Sequence, residues 1–161
     1  MTMLAIFFVG CAVFVPGGRD GRMPLRIKRH NYLGNEIRTD GFYYNDNCSS
    51  FYLYKNGVYL DNGTGGYSDL NRLRNRISEY RMVDNSYKDI VYWWGDFEIN
   101  YPKIKIDRWV SGEGCSRYGY KEFNGLISND STIILNDYPD GATTFRFCKF
   151  AKLDSTNRFI E

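Results

Sequence analysis

Residues 93–109, WWGDFEINYPKIKIDRW, leave few options for the fold of this chain. Side chains along a strand alternate between faces. Trp93, Gly95, Phe97 and Ile99 share one parity, and Trp94, Asp96, Glu98 and Asn100 share the other. After Tyr101-Pro102 the pattern repeats, with Ile104 and Ile106 on one face and Lys103, Lys105 and Asp107 on the other. Pro102 has no N–H and a fixed φ, which suits the turn between two strands and not a central strand position. The expectation is a half-buried antiparallel hairpin. Gly95 between large aromatics marks a bend or a close backbone approach. Arg108 falls on the parity of Ile104 and Ile106. Either a strand-end bulge turns it outward, the commoner behaviour, or it points inward to stack on an aromatic ring or meet an acidic ligand group.

The rest of the chain supplies partners for that hairpin. Residues 37–44 read as a first strand. Phe51 to Tyr54 and Val58 to Leu60 flank Lys55-Asn56-Gly57, and Asn-Gly between aromatic runs is a strong hairpin signal, here expected as a type I′ turn. Residues 68–82 change period: Leu70, Leu73, Ile77 and Tyr80 recur at helical spacing, with Ser68 a fitting N-cap and Asp69 in the first turn. The Arg72, Arg76 and Glu79 face is expected to be solvated. Three further strands follow: Tyr118 to Ser128, Thr132 to Tyr138 and Thr143 to Phe150, separated by Asn129-Asp130 and Pro139-Asp140-Gly141. Aromatic residues make up 17% of the chain and tyrosines number 14, a bias toward strands with an aromatic interior. The fold class expected is mainly all-β: an antiparallel meander closing into a small barrel of about eight strands, with one helix inserted near 68–82.

Residues 1–11, MTMLAIFFVGC, form an apolar run of signal-segment length that is too short to span a bilayer as a helix. Phe8-Val9-Gly10-Cys11 resembles a bacterial lipobox, in which the cysteine is acylated, so Cys11 is the expected lipidation site. Arg19, Arg22, Arg26, Lys28 and Arg29 make the following stretch basic, as expected of a tether beside an anionic membrane surface. The domain organisation expected is a signal and lipobox segment at 1–11, a basic flexible tether at 12–33, a barrel at 34–150 and a tail at 151–161.

The residues exclude several chemistries as readings. A net charge of +2 gives no electrostatic case for nucleic acid. The one histidine, His30, argues against histidine triads and histidine metal sites. No Gly-x-Ser-x-Gly, phosphate loop, dinucleotide fingerprint or calcium loop occurs. No cofactor is expected. Asp96 and Glu98 share a face and could do acid–base work, but such a pair is far more often a solvated outer face. A hydrolase is therefore the third choice, and the chain is expected not to be an enzyme. With Cys11 acylated, Cys48, Cys115 and Cys148 permit one disulfide whose pairing the sequence does not choose.

Thr39-Asp40-Gly41-Phe42-Tyr43-Tyr44, Trp94-Gly95-Asp96-Phe97-Glu98-Ile99, Ile104-Lys105-Ile106-Asp107-Arg108-Trp109 and Ile127-Ser128-Asn129-Asp130-Ser131-Thr132 occur in that order. In this the chain resembles small uncharacterised lipoproteins of the Bacteroidetes with a lipocalin-like barrel domain. The resemblance covers most of residues 35–150. It implies a lipocalin-like barrel, export and a lipid anchor at the cell envelope, and it carries no activity. True lipocalins have Gly-x-Trp on the first strand, where this chain has Gly41-Phe42-Tyr43. The function expected is a lipid-anchored envelope protein whose barrel binds a small apolar or amphipathic ligand, with Trp93, Phe97, Ile99, Ile104, Ile106 and Arg108 lining the interior. The alternative is a structural or protein-interaction module of the envelope, with a Tyr-rich contact surface.

Overall fold

The computed structural model describes residues 24–62, 69–83, 90–111, 118–138 and 141–150; the Cys11 segment, Cys115 and the tail 151–161 lie outside them. Eight strands form the barrel: β1 (Gly41–Tyr44), β2 (Ser50–Leu53), β3 (Val58–Asp61), β4 (Trp94–Asn100), β5 (Lys103–Ser111), β6 (Tyr118–Asn129), β7 (Thr132–Leu135) and β8 (Thr143–Lys149). Each pairs antiparallel with the next, and β8 returns to β1 through Gly41↔Lys149 to Tyr44↔Arg146, closing the barrel. One helix, α1 (Leu70–Val83), is inserted between β3 and β4. The mainly-β meander with its single inserted helix is therefore present, lipocalin-like in form.

Strand parity sorts the side chains. Tyr43, Phe51, Leu53, Tyr59, Phe97, Ile104, Ile106, Phe123, Ile127, Ile133, Leu135 and Phe145 point inward and form one buried cluster. Rings fill it: Phe51 lies 4.9 Å from Phe145 and 5.3 Å from Tyr59 between centroids, and Phe123 lies 5.2 Å from Tyr138. Close packing of this kind occupies the interior of a small barrel with side chains.

A second apolar cluster lies outside the wall. Phe42, Tyr52, Val58, Leu60, Trp94 and Trp109 point outward, and Leu73 and Ile77 of α1 pack on them. The sequence mark is visible afterwards: Phe51-Tyr52-Leu53-Tyr54 and Val58-Tyr59-Leu60 are continuous apolar runs, as expected of strands buried on both faces. Trp94 belongs to this outer cluster and is fully buried, so the polar-parity face of β4 is dry at its first residue. The N-cap of α1 is Asp69, one residue later than expected: its carboxylate accepts the Arg72 N–H at 2.9 Å.

The Lys55-Asn56-Gly57 turn also differs from expectation. Only Gly57 has a positive φ (83°), its N–H bonds to Tyr54 O at 3.0 Å, and Tyr54 N–H bonds to Val58 O. That is a three-residue loop ending in a left-handed glycine, not a two-residue type I′ turn.

The end of the barrel bearing the β2–β3, β4–β5 and β6–β7 turns is called the lower end. The N-terminal segment closes it. Ile37 is part of the interior cluster and Tyr32 packs against it, 6.1 Å from Phe97 between centroids. Tyr43 ties the segment down: its hydroxyl accepts the Arg38 N–H at 3.0 Å and lies 2.9 Å from Asp130 O as a donor. Part of residues 24–33 lies against the wall. Ile27 is buried, Leu25 packs on the outer cluster, and Asp107 of β5 accepts the backbone N–H groups of Arg26 and Ile27.

Candidate functional site

At the upper end the interior becomes polar. Register explains how. Arg108 on β5 pairs with Gly95 on β4, and Gly95 pairs with Tyr59 on β3. Arg108 has the inward parity, and no bulge turns it out. A Cβ on Gly95 would collide with the Asp107 carbonyl oxygen and come within 2.7 Å of Arg108 Cα. With no side chain there, the guanidinium passes across β4 and Arg108 Nη1 donates to Asp61 Oδ2 on β3. The Arg108 side chain is 18% exposed and that of Asp61 1%.

Aromatic groups surround the pair. The Arg108 guanidinium carbon lies 5.5 Å from the Phe123 ring centre, close enough for a cation–π contact. The Tyr59 hydroxyl is 3.5 Å from Asp61 Oδ2. Burial, followed by the negative field of Asp61, pushes the phenols of Tyr59 and Tyr138 well above the usual tyrosine range. Burial alone would lower the Arg108 pKa; the anionic field around it, that of Asp61 with both phenols neutral, carries it above the ordinary arginine value. The guanidinium is permanently charged, and both phenols stay protonated as donors. Arg108 Nε is buried with no hydrogen-bond partner. Lys121, next along the same row, places its ammonium 5.2 Å from the same Phe123 ring centre. One step further up, Val110 faces Gly119, where an added Cβ would meet only Val110 Cγ2, at 3.6 Å.

The expected interior residues divide. Phe97, Ile104 and Ile106 are in the filled core, Ile99 packs at its margin, and Arg108 lies at its polar top. Trp93 does not join them. It lies in a 3-10 turn (Val91–Trp93) ahead of β4 and packs on the outer cluster, because the alternation of β4 does not extend into that turn. Asp61 is the residue that sequence reasoning missed, although it shares the parity of Tyr59. Cys48 and Cys148 are free buried thiols on the outer cluster, so neither forms the bridge that was open to them.

The Asp96 and Glu98 pair is split by its surroundings. Glu98 is exposed, whereas Asp96 is half-buried beside fully buried Asp107. Burial raises the Asp96 pKa to about 6, with Arg29 opposing and Asp107 adding to the shift. Burial also raises Asp107, whose Oδ1 has no partner. Among the described residues no group of three or more His, Cys, Asp or Glu is placed to hold a metal ion. No family model, no curated protein and no solved structure matches the chain.

Proposed function

We propose that this chain is an exported, lipid-anchored envelope protein whose barrel binds a small amphipathic molecule by its acidic head at the Arg108 end. One observation carries the reading: an inward guanidinium with half its fork on Asp61 and its Nε–H buried without a partner. A buried ion pair is poor evidence for stability, since apolar side chains of similar volume often do as well. A buried donor left unmet calls for a partner. A carboxylate or phosphate would meet Arg108 Nε and the Lys121 ammonium, with Tyr138 as a further donor. Because rings fill the lower interior, the ligand is held at the mouth and is not threaded through the barrel.

Native mass spectrometry of the intact protein with decanoate and with decanol tests this. Decanoate is expected to bind and decanol to bind at least about 10-fold more weakly, the value of one charged hydrogen bond. The D61N/R108M variant is expected to lose that preference. Equal binding of both probes, or of neither, overturns the reading. The filled interior favours the second reading, an envelope module working by its surface, and binding of neither probe would favour it too. The anchor has a separate test: C11A is expected to move the protein from the membrane fraction to the soluble fraction.

A further inference from the structure

The outer face of β4–β7 carries a groove of about 390 Å³ whose lining includes Glu98, Asn100, Lys103, Lys105, Asn124, Leu126 and Asn136. It lies on the opposite side of the wall from Arg108. Pairing arranges its side chains in two rows. Glu98, Lys105, Asn124 and Asn136 follow one another across the strands, through Glu98↔Lys105, Lys105↔Asn124 and the Asn136 N–H on Asn124 O. Asn100, Lys103 and Leu126 make the second row, through Asn100↔Lys103 and Lys103↔Leu126. Strand spacing sets neighbours within a row about 5 Å apart, the scale of one sugar ring.

The residue types are unusual for a plain solvated face. Asparagine is depleted in strands, yet Asn124 sits in the middle of the 12-residue β6, flanked in the groove by Asn100 at the end of β4 and Asn136 just after β7. Asn124 gives an N–H to Glu122 at 3.1 Å, which leaves its carbonyl oxygen directed by a fixed amide. Among the described residues, no hydrogen bond or ion pair is made by the side chains of Glu98, Asn100, Lys103 or Asn136. Lys105 is held on Glu122 at 2.9 Å, and Lys103 of the second row offsets Glu98, so the groove is near neutral. Leu126 is 44% exposed and gives the groove one apolar contact.

We propose that this groove is a carbohydrate-binding site for one or two neutral sugar rings. Amides present a donor and an acceptor together, which matches the paired hydroxyls of a sugar. Glu98 and Lys103 add one strong acceptor and one strong donor, and Leu126 offers a surface for the ring's C–H face. A protein partner fits less well, because the core of a protein interface is apolar and aromatic and far larger than this groove. A pocket of this volume is the size that small ligands occupy.

The test is a 15N–1H titration of the intact protein with maltose, cellobiose and N,N′-diacetylchitobiose, each at millimolar concentration. At least one is expected to shift the backbone amides of Lys105, Asn124 and Asn136 while leaving that of Arg108 in place. N124A/N136A is expected to weaken that binding about 10-fold or more, for two lost hydrogen-bonding amides. K103A, which leaves the strand ladder untouched, is expected to weaken it less and serves as a second, independent variant. No shift with any of the three sugars, shifts centred outside the groove, or unchanged affinity in both variants overturns the proposal.

Discussion

Arg108 and Asp61 depend on each other, and Gly95 makes their meeting possible. Removing one charge from a buried pair leaves the other uncompensated. R108M is therefore expected to lose roughly 3–5 kcal/mol of stability in urea unfolding, while D61N/R108M recovers most of it. A double variant as unstable as the single would mean that the pair does not carry this coupling. Gly95→Ala addresses the same contact through the backbone. Its Cβ meets the Asp107 carbonyl and Arg108 Cα, neither of which is the far end of a flexible side chain. A loss of about 1–3 kcal/mol is expected for such overpacking. Asp96 adds a pH dependence whose direction is opposite to the usual carboxylate. Burial lifts its folded pKa to about 6, above the unfolded value of roughly 3.9. The folded state then binds the extra proton, so its contribution is full below the unfolded pKa and is lost as pH rises through about 6. D96N is thus expected to stabilise the protein at pH 7.5 by up to about 2 kcal/mol, discounted for partial solvent exposure, and by little at pH 4. A D96N effect that grows toward acid pH would contradict it.

At the scale of elements, α1 is an outer lid on the wall and not a part of the barrel. Leu73 and Ile77 are buried on Trp94, Leu60 and their neighbours, while Arg72, Arg76 and Glu79 face solvent. Leu73→Ala is expected to cost about 2–4 kcal/mol in denaturant unfolding, and Asp69→Ala about 1 kcal/mol through loss of its cap. The helix was legible from its period because its apolar stripe is a local property. So was the Phe97, Ile99, Ile104, Ile106 face. What covers an outward face was not legible, because that depends on contacts distant in sequence. Trp94 and Asp107 had the outward parity of Glu98 and Lys105, yet both are fully buried. Asp107 is covered by residues 26 and 27, 81 positions away for the first of them. The same limit hid the Arg108–Asp61 pair, which joins residues 47 apart through the absence of a side chain at Gly95. Parity offered the inward position of Arg108 as one of two readings, and the strand expected to end at Leu60 stopped one residue short of Asp61.

For the whole molecule, closure and the two clusters together decide where the chain is exposed to function. Every strand has two neighbours, so no edge is left for another strand to extend. The interior is full below Arg108, one side of the wall lies under α1, and residues 24–38 close the lower end and reach up to Asp107. Among the described residues, two surfaces stay open to recognition: the Arg108 end and the outer face of β4–β7. This depends on the β1–β8 seam, which joins strands about a hundred residues apart in sequence and must be formed against the entropy of closing that long loop. In an open sheet, strands β1 and β8 would be edges, and their amides would exchange by local opening. In the closed barrel, the amides of Phe42 to Tyr44 and of Phe145 to Cys148 that bond across the seam share the protection of the β4–β5 hairpin. Hydrogen exchange followed by NMR is therefore expected to place both sets in one slow group. Rapid exchange at the seam, with the β4–β5 amides still slow, would describe an open sheet whose interior rings are reachable from the side. That result would remove the argument that a ligand must be held at the mouth.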